Sequence, residues 1–363
     1  MIAGLHVVVP AGGPGARLWP LSRAAHPKFL LDLTGTGRSL IQQTWDRLTP
    51  LAEGILVVAG PPHVAAITAQ LPGLEDKNLL VEPAPRSSMP AIGLAAAVLH
   101  QRLGDVVLGS FAADHIIGDQ AGFAEAVQAA HQAALAGYLA TIGIEPTGPA
   151  TAYGYIQAGQ SLGLVGAPQV HQVVRFVEKP DLATAQDYLR QGHYRWNAGM
   201  FLCRTGVLLN HLAQLQPDMH QALTQLAQAW DTDQRETAAQ ALWPQATKIS
   251  IDHALAEPVA ATGGVATVAG RFDWVDVGDF AALAELLPKG QLSLSSEPGP
   301  VVRSDSPGCL VVQGTSRAIA VVGLSDVAVV DTADGLLVTS LDQAQRVKEV
   351  AGQLREAGLA GYL

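Results

Sequence analysis

Short, uninterrupted apolar runs alternate with longer stretches of helical composition over the first 110 residues. Leu5–Pro10 (LHVVVP), Ile55–Ala59 (ILVVA), Leu79–Glu82 (LLVE) and Val106–Ser110 (VVLGS) have the length and β-branched content of strands. Between them, Ser39–Ala52, His63–Leu71 and Ala91–Leu103 are rich in Ala, Leu and Gln. Strands that lack polar alternation are buried on both faces. The pattern therefore predicts an α/β fold: a mixed, mostly parallel, Rossmann-like sheet with helices on both sides. Ligands bind such sheets at the carboxyl ends of the strands, so the loops after Pro10, Glu82 and Ser110 are the first places to look for chemistry.

The middle of the chain is more mixed. Leu139–Ile144, Tyr153–Gln157, Val170–Val177 and Met200–Cys203 read as strands, and Gly122–Gly137, Asp181–Gln191 and Gln214–Ala229 as helices. A helix over Asp279–Leu287 closes this region, giving a large domain over 1–288. Pro288–Pro300 (PKGQLSLSSEPGP) is rich in Ser, Pro and Gly, which predicts a linker over 289–300. Beyond it, Cys309–Gln313, Ala318–Val322, Val327–Asp331 and Leu336–Thr339 recur with turn residues between them. They predict a small β-rich domain over 301–363, with a terminal helix over Asp342–Ala357. No strict hexapeptide repeat is visible, so a β-helix-like arrangement is one option for it.

Composition narrows the function classes. Of 363 residues, 48% are hydrophobic and 15% charged, which excludes a disordered chain. The net charge of −10 argues against nucleic-acid or membrane-surface partners, and no apolar stretch approaches the roughly 20 residues of a membrane span. The N-terminus lacks the basic segment of a secretory signal, which points to the cytoplasm. Cys203 and Cys309 are too few for a disulfide framework and read as free core thiols. The eleven histidines contain no His-Glu-x-x-His and no i, i+4 pair, so they suggest no metal site of their own.

The strongest local signal is Pro10–Lys28, PAGGPGARLWPLSRAAHPK. A strand feeds a loop holding Gly12, Gly13 and Gly15, followed by Arg17, Arg23 and Lys28. Glycines let backbone amides approach an anion, and the clustered cations supply counter-charge for phosphates. Neither familiar phosphate loop fits. No Gly-Lys pair exists for a Walker motif, and Leu18 stands where the dinucleotide fingerprint needs its third glycine.

This stretch resembles the signature loop of the sugar-1-phosphate nucleotidylyltransferases, Gly-Gly-x-Gly-x-Arg-Leu-x-Pro-Leu-Ser followed by Pro-Lys. Further matches run down the chain in order. Glu82–Ala91 is similar to the family's base-side loop, with Ser87-Ser88-Met89 in place of the usual Asn-Thr-Ala. Ala113-Asp114-His115 resembles its metal loop, and Thr151–Ile156 a sugar-side loop. Phe176–Pro180 resembles its Glu-Lys-Pro element, and Trp196–Phe201 and Trp274–Phe280 follow. Within the family, this combination looks most like the mannose-1-phosphate guanylyltransferases, and the tail Val321–Val338 is similar to the same subgroup.

The resemblance implies a GT-A-like nucleotidyltransferase fold and an assignment of roles. The nucleotide would lie on Ala11, Gly12, Gly13, Gly15, Arg17, Glu82, Ser88 and Asp114. The sugar phosphate would contact Gly154, Glu178, Lys179 and Asn197. Asp114 and Asp276 would hold Mg²⁺, and Arg17 and Lys28 would act with them at the reacting centre. The implied reaction joins GTP and α-D-mannose 1-phosphate to give GDP-mannose and diphosphate, in a homodimer.

The chemistry is coherent on its own terms. A sugar-phosphate oxygen must attack the α-phosphorus of a triphosphate, so two polyanions have to be brought together. Mg²⁺ suits hard oxygen ligands, and cations can neutralise the leaving diphosphate. Plainer roles stand beside these: Asp114 or Asp276 as turn or helix caps, Asp252 as a cap or a ligand, Asn197 satisfying loop backbone, His115 as a structural histidine and Trp19 as packing. Two alternatives also stand: the same chemistry on another sugar-phosphate and triphosphate pair, and a non-catalytic sugar-nucleotide sensor.

Overall fold

The computed structural model describes residues 1–13, 15–287, 293–295 and 299–363. From β1 (Leu5–Ala11) the chain passes through helix Leu40–Leu48 to β2 (Gly54–Ala59), through helix Val64–Gln70 to β3 (Leu79–Val81), and through helix Ser88–Leu103 to β4 (Val107–Ser110). These strands run parallel in the order β3-β2-β1-β4. Alternate residues of β1 enter different cores: Val7 and Val9 join one apolar cluster and Val8 the other. Burial on both faces is why these strands read as continuous apolar runs.

β5 (His115–Ile117) leaves this sheet. After helix Gln120–Leu135 come β6 (Leu139–Ile144), β7 (Gly154–Ser161), β8 (Val170–Val177) and β9 (Tyr194–Arg204), and later β10 (Val265–Gly270) and β11 (Trp274–Asp276). Among the described residues nine strands make one mixed sheet, β3-β2-β1-β4-β9-β6-β10-β8-β7. Its parallel character is concentrated in the first four strands. β9 enters antiparallel between β4 and β6, and β7 and β8 are antiparallel to their neighbours.

The helix expected over Gln214–Ala229 is Pro217–Trp230, and a separate helix, Thr205–Leu215, precedes it. Gln216 between them has φ −141° and ψ 63°, because a residue preceding proline is pushed out of the helical region. β10 had no counterpart in the sequence reading, and β9 is far longer than the expected Met200–Cys203. Cys203 and Cys309 are free and buried.

The C-terminal unit is a coil of short parallel strands. β12 (Ser293–Ser295), β14 (Leu310–Gln313) and β16 (Val327–Asp331) form one side, closed by antiparallel β17 (Leu336–Ser340); β13 (Val301–Ser304) pairs with β15 (Ile319–Val322). Ser293 opposes Val311, Val301 opposes Ile319 and Leu310 opposes Ala328, a constant offset of 18 residues. Of the expected linker, 289–292 and 296–298 lie outside the described residues, while Ser293–Ser295 is strand. The expected terminal helix divides into a 3₁₀ stretch, Leu341–Val347, and an α-helix, Lys348–Glu356.

This coil packs against the first domain. One apolar cluster joins Leu18, Val277, Phe280 and Leu283 to Leu310, Val312, Val330 and Val347. Among the described residues no helix is long and apolar enough to cross a membrane.

Candidate active site

The loop after β1 turns sharply. Gly13 has φ +99° and Gly15 has φ +58°, conformations that favour glycine. A Cβ at Gly15 would also lie 2.5 Å from the Ser22 hydroxyl oxygen. Gly12 and Gly13 are exposed, and nothing lies within 4 Å of where their side chains would begin, so this edge is open to a ligand. Arg17 follows on a short 3₁₀ turn, Ala16–Leu18, half-buried, and donates from Nη1 to Gln345 Oε1 at 2.9 Å.

Two distant aspartates meet because β5 and β11 form an antiparallel ribbon in which Asp276 opposes His115. Asp114 immediately precedes that position. Lys28, buried at the start of its own 3₁₀ turn, reaches between them: its Nζ lies 2.7 Å from Asp114 Oδ2 and 2.8 Å from Asp276 Oδ1. Burial alone would pull the Lys28 ammonium down, but the two carboxylates outweigh it and hold its pKa above the ordinary lysine value. Burial pushes Asp276 up, yet Lys28, with help from His115 and Arg17, leaves it below the ordinary aspartate value. The capping duty considered for Asp276 falls to Asp279, which accepts from the Ala282 amide at 3.0 Å.

A pair of carboxylates around one ammonium leaves a net negative charge, which would repel a triphosphate. The donor set fits a divalent cation, which would reverse that sign. Among the described residues no cluster of three or more His, Cys, Asp and Glu side chains is placed to hold a metal. Two carboxylates are nevertheless the usual protein share for Mg²⁺, with substrate phosphates and water completing the shell.

The residues expected on the sugar side converge next to this pair. A cavity of about 250 Å³ is lined by Gly154, Glu178, Lys179 and Asn197 together with Asp276, His115, Tyr153, Asp252 and Trp274. Sites for drug-sized ligands run to roughly 300–1,000 Å³, so this one is in the class of a single sugar. Lys179 Nζ lies 2.6 Å from Glu178 Oε1, on an exposed loop where Lys179 has φ +40°. Such backbone strain in a non-glycine residue concentrates at functional sites. Asn197 is engaged at both ends: its Nδ2 donates to Asp252 Oδ1 at 2.6 Å and its Oδ1 accepts from the Gly199 amide at 3.1 Å. Gly154 allows the close approach, since a Cβ there would sit 2.8 Å from Glu178 Oε2. Asp252, Tyr153 and Trp274 had no assigned place in this cavity from sequence. His115, buried and edge-on to Trp274, lines it as well.

The residues expected on the base side are less converged. Glu82 follows the carboxyl end of β3, is 7% exposed, and its Oε2 has no hydrogen-bond partner. Burial raises its pKa to about 7. The Ser88 hydroxyl accepts from the Ile251 amide at 3.0 Å, which leaves its own O–H free to donate. Ser87 before it has φ +70°, strained for serine. Two larger cavities, of about 640 and 660 Å³, lie beside helix Gln120–Leu135 and contain neither Lys28, Asp114 nor Asp276.

Residues 6–291 match the nucleotidyl transferase family, and residues 299–354 the mannose-phosphate isomerase/GMP-like β-helix domain. The chain belongs to the nucleotidyl transferase family. This transferase is 40% identical over 358 residues to the xanthan biosynthesis protein XanB of Xanthomonas campestris pv. campestris strain B100, covering 97% of this chain and 73% of that protein. It is 36% identical over 364 residues to a mannose-1-phosphate guanylyltransferase of Klebsiella pneumoniae, covering 98% of this chain and 75% of that protein. A crystal structure described as a mannose-1-phosphate geranyltransferase from Thermus thermophilus superposes with a TM-score of 0.83 at 32% identity, covering 97% of this chain and 99% of that one. The family resemblance and the fold class read from sequence, including the β-helix option for the C-terminal unit, are borne out.

Proposed function

We propose that this transferase is a mannose-1-phosphate guanylyltransferase, joining GTP and α-D-mannose 1-phosphate to give GDP-mannose and diphosphate. The observation that carries the proposal is Lys28 held between Asp114 and Asp276 at the edge of a sugar-sized cavity. Mg²⁺, held by these two aspartates, would supply charge neutralisation on the phosphate oxygens. The glycine loop would receive the triphosphate on its backbone, and Arg17 would balance the departing diphosphate. Lys28 would neutralise charge on the α-phosphoryl group as the sugar phosphate attacks in line. Lys179 would take the sugar phosphate, and Glu178 and Asn197 the hydroxyls. No protein nucleophile is required, because the attacking phosphate is ionised at neutral pH.

Guanine is supported by Glu82. The guanine edge offers two adjacent N–H donors, and pairing with them would favour the ionised, acceptor-only form of Glu82 that burial alone disfavours. Mannose is supported by the names of the relatives. The enzyme is proposed to work in the cytoplasm as a homodimer. The test is diphosphate release from four nucleoside triphosphates against mannose, glucose and galactose 1-phosphates, with and without Mg²⁺. GTP with mannose 1-phosphate is expected to give the highest kcat/KM. A preference for another pair would replace the substrate assignment, and binding without turnover for every pair would favour a sensor.

A further inference from the structure

The phosphate-binding loop is fastened to the C-terminal coil by side chains far away in sequence. Trp19 Nε1 donates to the Tyr362 carbonyl at 2.7 Å, and Arg23 donates to the same carbonyl and, from Nη2, to Asp334 Oδ1 at 2.6 Å. Gly335 makes room for this, since a Cβ there would lie 3.0 Å from Pro20 Cβ and 3.2 Å from Arg23 Nη2. Leu18 sits in the same apolar cluster as the coil's strands.

Gln345 adds a contact of a different kind. Its Oε1 accepts from Arg17, and its Nε2 donates to Asp279 Oδ2. Chemistry fixes that orientation, because guanidinium only donates and carboxylate only accepts. Asp279 is buried and caps helix Phe280–Leu286, directly after the strand that carries Asp276. A Cβ at Gly278 would lie 3.3 Å from Arg17 Nη2, so the guanidinium rests against the backbone between the two aspartates. Only an uncharged amide of this length serves both neighbours. A carboxylate would face Asp279, and a cation would face Arg17.

We propose that Gln345 is a positioning residue that holds Arg17 in its phosphate-binding orientation, so that the C-terminal coil is part of the catalytic apparatus. The proposal rests on Arg17 touching the triphosphate. A long cation fixed before substrate arrives loses less rotamer freedom on binding, which is where such a contact acts. Gln345 itself is exposed, so replacing it should not unfold the protein.

The test is a double-mutant cycle in the full chain. Gln345→Met keeps the length and removes both polar ends. It should lower kcat/KM for the triphosphate about tenfold, the scale at which losing an outer-shell partner is felt, with the KM for sugar phosphate unchanged and any fall in melting temperature, from the donor lost to Asp279, equal with and without Arg17. In an Arg17→Ala background the same change should have no further effect. Undiminished kcat/KM in Gln345→Met, or an equal additional loss without Arg17, would overturn the proposal. Triphosphate binding by calorimetry carries the same comparison. A wild-type protein without turnover on any pair would therefore sink the transferase reading while leaving this inference open to measurement.

Discussion

Two lysine–carboxylate groupings border the candidate site, one on the proposed phosphate side and one on the proposed sugar side, and they differ in environment more than in chemistry. On the phosphate side, Lys28 has a side chain only 8% exposed and is held by two aspartates. On the sugar side, Lys179 is 62% exposed and pairs with one glutamate. A buried charge stripped of a partner is costly, whereas an exposed pair contributes little to the fold. The phosphate side is thus a fixed arrangement, set by the β5–β11 ribbon and supported from behind by the C-terminal coil. The sugar side is adjustable, and its charges are available to a ligand with little structural consequence.

The largest effect should come from breaking the fixed side. Asp276→Asn leaves Lys28 with one carboxylate and removes half of the proposed metal ligands. Charge stabilisation by a metal is worth several kcal/mol, so turnover should fall on the order of 10³-fold, measured as diphosphate release over a Mg²⁺ series. Unchanged Mg²⁺-dependent activity would remove the aspartate from the chemistry and make the Lys28 cluster a structural feature.

A smaller effect separates the base side from both. Burial raises the Glu82 carboxyl to a pKa of about 7, above its value in the unfolded chain. For an acid shifted upward, the folded state binds more protons. Its favourable contribution is full below the unfolded pKa of roughly 4.5 and is lost as pH rises through about 7. Glu82→Gln should therefore raise the melting temperature at pH 8 relative to wild type and change it little at pH 5. The same variant should reduce the preference for GTP over ATP, because the amide replaces one acceptor with a donor. A melting difference independent of pH would mean that Glu82 is ionised in place and compensated by a contact other than those described.

Much of this was legible in the sequence, for identifiable reasons. The strands β1, β2, β3 and β4 announced themselves because burial on both faces forces continuous apolar runs. The glycines of the first loop announced themselves because positive φ at Gly13 and Gly15 restricts the residue type. Asp114 and Asp276 came from resemblance, and the structure adds the physical link between them, a three-residue ribbon too short to read from composition. The coil's period was hidden because its strands hold only three to five residues and the turns vary; the regular signal is the offset of 18, not a hexapeptide motif. Gln345 left no trace at all. An exposed glutamine in a terminal helical segment looks like solvated surface until the fold brings Arg17 to it. Ser88 gained a structural contact that the sequence did not show, since its hydroxyl accepts from the Ile251 amide across 163 positions of chain.

The smallest expected effect tests the adjustable side. Lys179→Ala removes an exposed cation whose pair is worth about 0–1 kcal/mol to the fold, so the melting temperature should move by less than about 2 °C. The KM for sugar phosphate should rise about tenfold, since a charge-assisted hydrogen bond to phosphate is worth roughly 1.5–3 kcal/mol, while kcat at saturation changes little. That split is what a ground-state phosphate contact produces. A fall in kcat comparable to that of Asp276→Asn would instead place Lys179 with the reacting groups. A large loss of stability would show that the strained backbone at Lys179 is held by its side chain, and the two sides of the cleft would then be alike in rigidity.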